Sequence, residues 1–426
     1  MRQLQNKRAR PSRYLFRSNH REHARRMRTK KNPVAEVTGQ VGEFFDELTI
    51  EPPSVLPAHG ALSLEAYHGH GTAETLFVRA RVRRGGGVGE VGEEDSRWRN
   101  LFNTVRRVNR RRAPGIRVTA SFQGAEMQAV SDDNGFVEFE LPVIQHLDGD
   151  REWWEVELQA SEEGRMESTV RATARVIVPS THAEYCVISD IDDTVVRTEV
   201  TNWLRMLKIV LLTNAYTRTP FEHVETLYHA FRQGSRGRSQ NPVFYVSSSP
   251  WGFYDLLEHF FRIHGLPEGP LFLKTYQVSL KHLRGSSHHN HKLHYIRKLF
   301  DTYPALPFVL VGDSGQEDPE IYREVVRDYP DRVLAIFIRD VTSSARDEEV
   351  HAIAEEVGEM GVEMALVEDK LSAGLGAIRL GLIQDYWLKR MMEERADPDA
   401  DAPSRGSAQS EPDIRPRGAK ERIQRS

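Results

Sequence analysis

A pair of aspartate carboxylates follows directly after an apolar run. Asp190 and Asp192 stand two residues apart, beyond the run that ends at Ser189. One carboxylate can attack while the other handles a proton, and nucleophilic carboxylates form phospho-aspartate intermediates. Carboxylate oxygens also suit a hard divalent ion. An acidic turn that caps the following helix is the alternative interpretation.

A second polar group, Ser247–Ser249, follows the next apolar run and precedes Pro250. Hydroxyls and backbone N–H groups at a strand end, just before a helix N-terminus, can hold a phosphate. Alternatively, Ser249 is the N-cap of a helix whose first residue is Pro250. Both interpretations can hold, because different serines can serve each role.

Three further residues have charges that suit the same chemistry. Lys292 opens a helical pattern, where its ammonium group can neutralise a phosphoryl group or simply be solvated. Asp313 ends another apolar run, where it can complete a metal site. Asp318 precedes Pro319, so the alternative interpretation makes it the N-cap of a helix over Pro319–Asp328, and a supporting role at the metal is compatible with that cap.

Histidines close to Lys292 raise the alternative of a zinc site. Their spacing matches no strong zinc signature, and no cysteine lies nearby, so we do not expect zinc here. The histidines are His288, His289, His291 and His294.

From about residue 184 onward, buried apolar runs alternate with helical patterns. This alternation predicts an α/β fold with a mostly parallel sheet, helices on both faces and a ligand site at the carboxyl ends of the strands. A helical stripe from Phe253 to Phe261 is expected to end near Gly265. The predicted strands are Tyr185–Ser189, Val243–Ser247, Phe308–Gly312, Val333–Ile338 and Met364–Val367.

Short alternating runs between about 61 and 178 predict a separate all-β region. Turn residues separate several of the runs, a pattern typical of a β-sandwich. The predicted strands are Leu62–Tyr67, Thr75–Val82, Ile116–Phe122, Gly135–Leu141, Glu152–Gln159 and Ser168–Val178.

One helical pattern interrupts these strands. Trp98, Leu101, Phe102 and Val105 fall on one helix face, and seven arginines accompany them. A basic amphipathic helix of this kind can lie in a membrane interface. It can equally be a crossover helix whose arginines are solvated, and the residues alone leave both interpretations open.

The chain of 426 residues is long enough for two or three domains. No apolar run approaches the roughly 18–20 residues of a spanning helix. No apolar stretch follows the basic N-terminal residues, so we expect no secretory signal. The single cysteine, Cys186, excludes an internal disulfide framework and suits the cytoplasm. We expect a mostly disordered basic leader at 1–55, a β-sandwich-like domain at 56–180, a catalytic domain at 181–395 and a disordered tail at 396–426.

The charge of the chain is unevenly distributed. Residues 1–32 contain twelve Lys and Arg and one acidic residue, so their net charge is +11 in a chain whose formal charge is −4. A basic arm can dock on an anionic membrane face or on nucleic acid. A solvated leader is the simpler interpretation, and we favour it.

The order of these motifs resembles that of the haloacid-dehalogenase superfamily of phosphotransferases, firmly over about 185–340 and more loosely to about 385. Longer stretches look like the catalytic domain of the actin-patch-type, Mg²⁺-dependent phosphatidate phosphatases, and bacterial members of that family are also similar in the preceding β region over His68–Val82 and Arg97–Arg107. The stretches are SDIDDTVVRT, FYVSSSPWGFYDLLEHFF, HGLPEGPLFL, HKLHYIRKLF and FVLVGDSGQEDPEIYREVVRDYPDRVLAIFIRDV.

The resemblance implies a haloacid-dehalogenase-like Rossmannoid domain and a role for each matching residue. Asp190 would be the nucleophile, and Asp192 would protonate the leaving alkoxide and then activate water. Thr194 would support the loop and Ser247 would bind the phosphoryl oxygens.

Charge at the site would be balanced by a lysine and a metal ion, again by resemblance. Lys292 would offset charge on the nucleophile and the phosphoryl group. Mg²⁺ would bind Asp190, the backbone carbonyl of Asp192, and Asp313, with Asp318 in support.

The resemblance therefore implies a phosphatidate phosphatase that forms diacylglycerol and phosphate. The expected partner is a phospholipid at a membrane surface, so we expect a cytoplasmic, peripherally associated protein and not a nucleic-acid-binding one. The apolar segment Trp203–Leu212, with basic residues nearby, can help at a bilayer, although an ordinary core helix is the favoured interpretation. The alternatives are a phosphatase for a soluble phosphomonoester or phosphoprotein and a non-catalytic adaptor that binds membranes or polyanions.

Overall fold

The computed structural model of the chain describes residues 61–85, 111–162, 169–191, 224–274, 287–341 and 344–396. Several sequence-based predictions fall outside these residues and stay predictions: the basic leader, the arginine-rich helix around Leu101, the apolar segment Trp203–Leu212 and the tail beyond residue 396.

The C-terminal half contains a six-stranded sheet in which each pair of neighbouring strands is parallel. Its order is β12-β11-β10-β13-β14-β15. Apolar and β-branched runs form these strands because helices cover both faces of the sheet and bury them. The predicted α/β arrangement with a parallel sheet is confirmed. The strands are β10 (Cys186–Asp190), β11 (Val243–Pro250), β12 (Leu271–Lys274), β13 (Phe308–Asp313), β14 (Val333–Arg339) and β15 (Met364–Val367).

Two hydrophobic clusters lie on opposite faces of this sheet, because successive side chains of a strand alternate. On β13, Val309 and Val311 join one cluster with helices α1, α2, α6 and α7, while Phe308 and Leu310 join the other with α3, α4 and α5. The helices are α1 (Val224–Gln233), α2 (Tyr254–Ile263), α3 (Ser287–Thr302), α4 (Asp318–Asp328), α5 (Ser344–Glu359), α6 (Lys370–Arg379) and α7 (Tyr386–Ala396).

The N-terminal β region forms a nine-stranded, largely antiparallel sheet among the described residues. The long strand β3 pairs with β1 and β2 and also with β4 and β7. All six strands predicted for this region are present, whereas β2, β4 and β6 were not predicted. Its division into two packed layers stays a prediction. The strands are β1 (Leu62–Ala66), β2 (Gly69–Gly71), β3 (Thr75–Arg84), β4 (Arg111–Arg112), β5 (Arg117–Phe122), β6 (Ala125–Val130), β7 (Phe136–Pro142), β8 (Trp153–Ser161) and β9 (Val170–Ile177).

The β region and the parallel-sheet region belong to the same compact unit, Ala58–Ser426. Tyr67 and Phe136 of the β region are members of the hydrophobic cluster that contains α1 and α2. The backbone N–H of His68 also donates to the hydroxyl of Tyr254, at 2.9 Å. The two regions therefore share a core. Within the described residues, no helix combines the length and apolar character that crossing a bilayer requires.

Candidate active site

Strand register brings the polar residues to one edge of the parallel sheet. Asp190 of β10 is level with Val246 of β11, so Ser247 lies one residue beyond it. Ser189 is level with Val311 of β13, so Asp313 also lies one residue beyond the level of Asp190. Parallel strands with little stagger thus place all three residues at the carboxyl edge, as the sequence predicted.

Three carboxylates converge at this edge. Asp190, Asp313 and Asp318 are almost completely buried, with exposures of 1%, 0% and 0%. Each offers a ligand oxygen, and these oxygens all lie within 4.8 Å of one another. Like charges this close and this buried repel strongly unless a cation accompanies them. Carboxylate oxygens are the ligands that Mg²⁺ and Ca²⁺ prefer, so the donor set fits a hard divalent cation.

Lys292 supplies one positive charge within this cluster. Its Nζ lies 2.8 Å from Oδ1 of Asp190 and 2.7 Å from Oδ1 of Asp318. Its side chain is only 4% exposed, so both ion pairs are buried. One ammonium against three carboxylates leaves a formal charge of −2 on these four side chains when all are ionised. A divalent cation would balance that charge.

The loop after β13 fixes the carboxylate of Asp313. Its Oδ1 accepts hydrogen bonds from the backbone N–H groups of Gly315 and Gln316, at 2.7 and 3.1 Å. The backbone N–H of Asp313 donates to Oδ2 of Asp318, at 3.2 Å. Because charge-assisted hydrogen bonds of this kind orient a carboxylate, Asp313 and Asp318 are held in fixed relative positions.

Asp318 does not have the capping role that its position before Pro319 predicts. The N-cap of α4 is Glu317, which makes no side-chain capping bond, and Asp318 is the first helical residue. The carboxylate of Asp318 instead accepts from Lys292 and from the backbone of Asp313. The prediction of an N-cap was wrong because tertiary partners compete for the same carboxylate.

The serine segment also differs from its predicted local role. β11 continues through Pro250 into a one-turn 3₁₀ helix, Trp251–Phe253, and the residue that caps this turn is Pro250. Ser249 is therefore not the N-cap, and the alternative interpretation that made it one was wrong. Ser247 is fully buried, its Oγ accepts from the N–H of Ser249 at 3.0 Å, and the two Oγ atoms lie 2.5 Å apart.

The histidines of α3 have other partners. His289 lies 3.1 Å from a carboxylate oxygen of Glu324, and Nε2 of His291 lies 3.2 Å from the backbone oxygen of Ser247. Among the described residues, the group of side chains that could hold a metal is the three aspartates, and it contains no histidine.

Sequence reasoning missed several residues that support the site. The amide oxygen of Gln316 lies 3.3 Å from Nζ of Lys292. The hydroxyl of Tyr228 in α1 lies 2.6 Å from Oγ of Ser189, the residue that precedes Asp190. Burial raises the pKa of the Tyr228 phenol. Gln316 lies between Asp313 and Asp318, the two residues of that segment that were predicted to act at the site. Tyr228 lies in a helix whose sequence has no polar pattern that would indicate a functional residue.

Arg346 of α5 is a third residue that sequence reasoning missed. Its guanidinium donates to the backbone oxygens of Ser314 and Gln316, at 3.1 and 2.9 Å. It also donates to both carboxylate oxygens of Glu320, at 2.6 and 2.8 Å. Arg346 therefore holds the loop between Asp313 and Asp318 at both ends.

Of the residues predicted from sequence, the structure brings together Asp190, Lys292, Asp313 and Asp318, and it places Ser247 at the same sheet edge. Asp192 and Thr194 lie outside the described residues, and their roles stay predictions.

The fold and this edge define an α/β protein with a buried, oxygen-rich site at the carboxyl ends of a parallel sheet. Residues 185–340 match the family model described as the phosphatidate phosphatase APP1 catalytic domain. Over this segment the chain is similar to that family.

Two relatives match the same part of the chain. Phosphatidate phosphatase APP1 of Saccharomyces cerevisiae is 32% identical over 164 residues, which is 38% of this chain and 27% of that protein. An uncharacterized protein of Schizosaccharomyces pombe is 33% identical over 162 residues, which is 37% of this chain and 25% of that protein. The chain thus spans about a quarter of the length of each relative.

Solved structures add no argument about fold or function. A carbohydrate acetylesterase from Xanthomonas citri aligns over 72% of this chain and 68% of its own, at 10% identity and a TM-score of 0.27.

Proposed function

We propose that the chain is an Mg²⁺-dependent phosphatase that hydrolyses phosphatidate to diacylglycerol and phosphate through a phospho-aspartate intermediate. The observation that carries this proposal is the contact of the Lys292 ammonium with Asp190 and Asp318, beside Asp313. A buried carboxylate paired with an ammonium beside a cation-binding cluster suits phosphoryl transfer, which depends mainly on positioning and charge stabilisation. The family match of residues 185–340 supports the choice of phosphatidate.

The first half of the reaction forms the intermediate on Asp190. A carboxylate oxygen of Asp190 attacks phosphorus, an O–P bond forms and the ester O–P bond breaks. The leaving diacylglycerol alkoxide takes a proton from Asp192, a role assigned by resemblance. Lys292, 2.8 Å from the nucleophile, offsets negative charge on the transferring group.

The second half restores the enzyme. Water attacks phosphorus, its proton passes to Asp192, and the bond from phosphorus to Asp190 breaks to release inorganic phosphate. Ser247 binds the phosphoryl oxygens through its hydroxyl, and Thr194 supports the nucleophile loop. Asp192, protonated again, is ready for the next leaving group.

The metal belongs to the proposal as well. Asp190, Asp313 and the backbone carbonyl of Asp192 would hold Mg²⁺, and Asp318 would support them by fixing Lys292 and the backbone of Asp313. When bound, the ion supplies positive charge that stabilises the phosphoryl oxygens. A haloacid-dehalogenase-like fold, a cytoplasmic location and peripheral contact with the bilayer complete the proposal.

Purified protein assayed on phosphatidate vesicles and on a small soluble phosphomonoester, each with Mg²⁺ and with a chelator, tests this function. We expect Mg²⁺-dependent phosphate release that is faster on phosphatidate, and a loss of at least about 10³-fold for Asp190→Asn. A clear preference for the soluble ester would overturn the lipid substrate. Unchanged hydrolysis by Asp190→Asn would overturn the nucleophile.

A further inference from the structure

The serine segment of the site lies in an irregular part of β11. Val246 pairs with Phe272 of β12, and Pro250 pairs with Lys274. Four steps along β11 thus match two steps along β12, so β11 has two extra residues between these pairs. Such bulges occur beside active sites and change the direction of side chains. The register against β12 shifts over Ser247–Ser249, so contacts beyond that ladder also affect the position of this segment.

Trp251 follows the bulge directly and is 6% exposed. Its ring centroid lies 4.7 Å from that of Tyr67 and 5.6 Å from that of Phe136. Both of these aromatic residues belong to the β region, whereas Trp251 belongs to the parallel-sheet region. The stacked ring of Tyr254, at 5.9 Å from Trp251, completes the cluster.

Arg79 of β3 adds a cation to the same cluster. Its guanidinium carbon lies 4.4 Å from the ring centroid of Trp251 and 4.3 Å from that of Phe136. The guanidinium also forms an ion pair with Glu138, at 3.3 Å. Arg79 therefore makes two cation–π contacts, one with a ring of each region.

We propose that the β region helps to position the residues that bind phosphate. Tyr67, Phe136 and Arg79 contact Trp251, and through Trp251 they hold the Ser247–Ser249 bulge in place. None of the three lies within the segment 185–340 that matches the catalytic-domain family. The proposal rests on the proposed function only in the use of the bulge to bind a phosphoryl group. It gives the β region a role in substrate binding.

The expected effect on kinetics is selective. Loosening the bulge weakens contacts to the phosphoryl oxygens, so the KM for phosphatidate and the dissociation constant for inorganic phosphate should both rise about tenfold. A displacement of about 1 Å at a positioned group can cost up to about 10²-fold in rate. Asp190 and Lys292 contact each other at 2.8 Å and are left unchanged by these substitutions, so kcat should fall less than KM rises.

Tyr67→Leu tests the proposal, with Phe122→Leu as the matched control. Phe122 is also a buried aromatic of the β region, but its ring contacts Trp154 and belongs to the core of that region. We expect amide hydrogen exchange over residues 247–254 to accelerate at least tenfold in Tyr67→Leu and not in Phe122→Leu. Phosphate binding, measured by titration calorimetry, should weaken about tenfold in the first variant alone.

Equal rates of amide exchange over 247–254 in the two variants would overturn the proposal. Faster exchange in Tyr67→Leu without any weakening of phosphate binding would overturn it as well. Where Tyr67→Leu does not fold, Arg79→Gln keeps every ring and must give the same two changes. Hydrogen exchange needs neither substrate nor turnover. If the wild-type protein does not hydrolyse phosphatidate, the proposed function is refuted. The exchange experiment would still decide whether the β region positions the bulge.

Discussion

The carboxylate of Asp318 lies directly against Gly312, in the space that any other side chain would fill. A Cβ at position 312 would stand 2.7 Å from Oδ2 and 2.9 Å from Cβ of Asp318. It would also stand 2.9 Å from the ring of Tyr322. The glycine before Asp313 is therefore required by this close approach of Asp318 to the strand.

Gly312→Ala should displace Asp318 and, with it, Lys292. We expect kcat/KM for phosphate release to fall by about 10²-fold, because a misplacement of about 1 Å at a positioned group costs that much. Overpacking a fully buried site should also lower the free energy of unfolding by about 1–3 kcal/mol. Gly358→Ala is the control, since a Cβ there meets nothing within 4 Å. Equal activity of the two variants would show that the contact of Asp318 with Gly312 does not position the site.

Lys292→Met should separate the roles of the lysine and the metal. Without the ammonium, Asp190 and Asp318 lose a buried ionic partner, so kcat should fall by about 10²–10³-fold. Metal binding should persist, because the three carboxylates remain. In metal-free buffer the free energy of unfolding should fall by about 3–5 kcal/mol. Phosphate-release assays, Mg²⁺ titration calorimetry and urea unfolding measure the three effects.

Lys298→Met provides the matched control for this variant. Lys298 stands on the same helix, and its ammonium lies 5.5 Å from the ring centroid of Phe77, away from the carboxylates. We expect this control to keep its kcat. If Lys292→Met retained full activity, charge neutralisation by the lysine would be refuted even with the metal bound.

The strand ends were predictable from sequence because their cause is local. Runs such as Phe308–Val311 are apolar throughout, which is the pattern of a strand covered on both faces. A parallel sheet gathers the carboxyl ends of its strands at one edge. Asp190 and Asp313 could therefore be placed together from sequence. The same reasoning failed for Asp318 and Ser249, where a local capping rule competed with partners distant in sequence.

Contacts between distant segments had no signal in the sequence. Arg346 stands 28 residues beyond Asp318 in a helix rich in charged residues, and its pattern gives no reason to choose it over neighbouring charges. The contact of Tyr67 with Trp251 joins two regions that the sequence divided into separate domains. Such residues become visible only when the fold brings their partners together.

Arg346→Lys should weaken metal binding with little change in the chemical step. Lysine keeps the charge but cannot reproduce the planar, forked donors that reach Ser314, Gln316 and Glu320. The loop that orients Asp313 should then loosen, and the Mg²⁺ dissociation constant should rise about tenfold. At saturating Mg²⁺, kcat should stay within about threefold of the wild-type value, as the nucleophile and Lys292 are unchanged.

Titration calorimetry with Mg²⁺ alone measures this affinity without substrate. Arg327→Lys is the control, because Arg327 forms an exposed ion pair with Glu356, at 3.0 Å, away from the loop. A wild-type Mg²⁺ affinity in Arg346→Lys would contradict the idea that the loop is held in place by the guanidinium.

His70 should make the stability of the folded protein depend on pH. Burial, with a smaller effect of Lys298, lowers the pKa of His70 to about 3. The ring stacks on Phe77, at 4.9 Å between centroids, and meets Phe272 edge-on at 5.4 Å. In the unfolded chain its pKa is about 6.5, so between these two values the unfolded chain binds a proton that the folded chain does not.

This difference means that the free energy of unfolding is unaffected by His70 above about pH 6.5 and falls as the pH drops from there toward 3. The slope due to this one proton is at most about 1.4 kcal/mol per pH unit. His70→Phe keeps an aromatic ring among Phe77 and Phe272 and should remove that slope. Urea unfolding between about pH 4.5 and 7.5 measures it, with the exposed His146→Gln as the control. His70 lies where the β region contacts Phe272 of β12. If the unfolding free energy of His70→Phe depended on pH as in the wild type, burial at this contact would not be what keeps the His70 imidazole unprotonated.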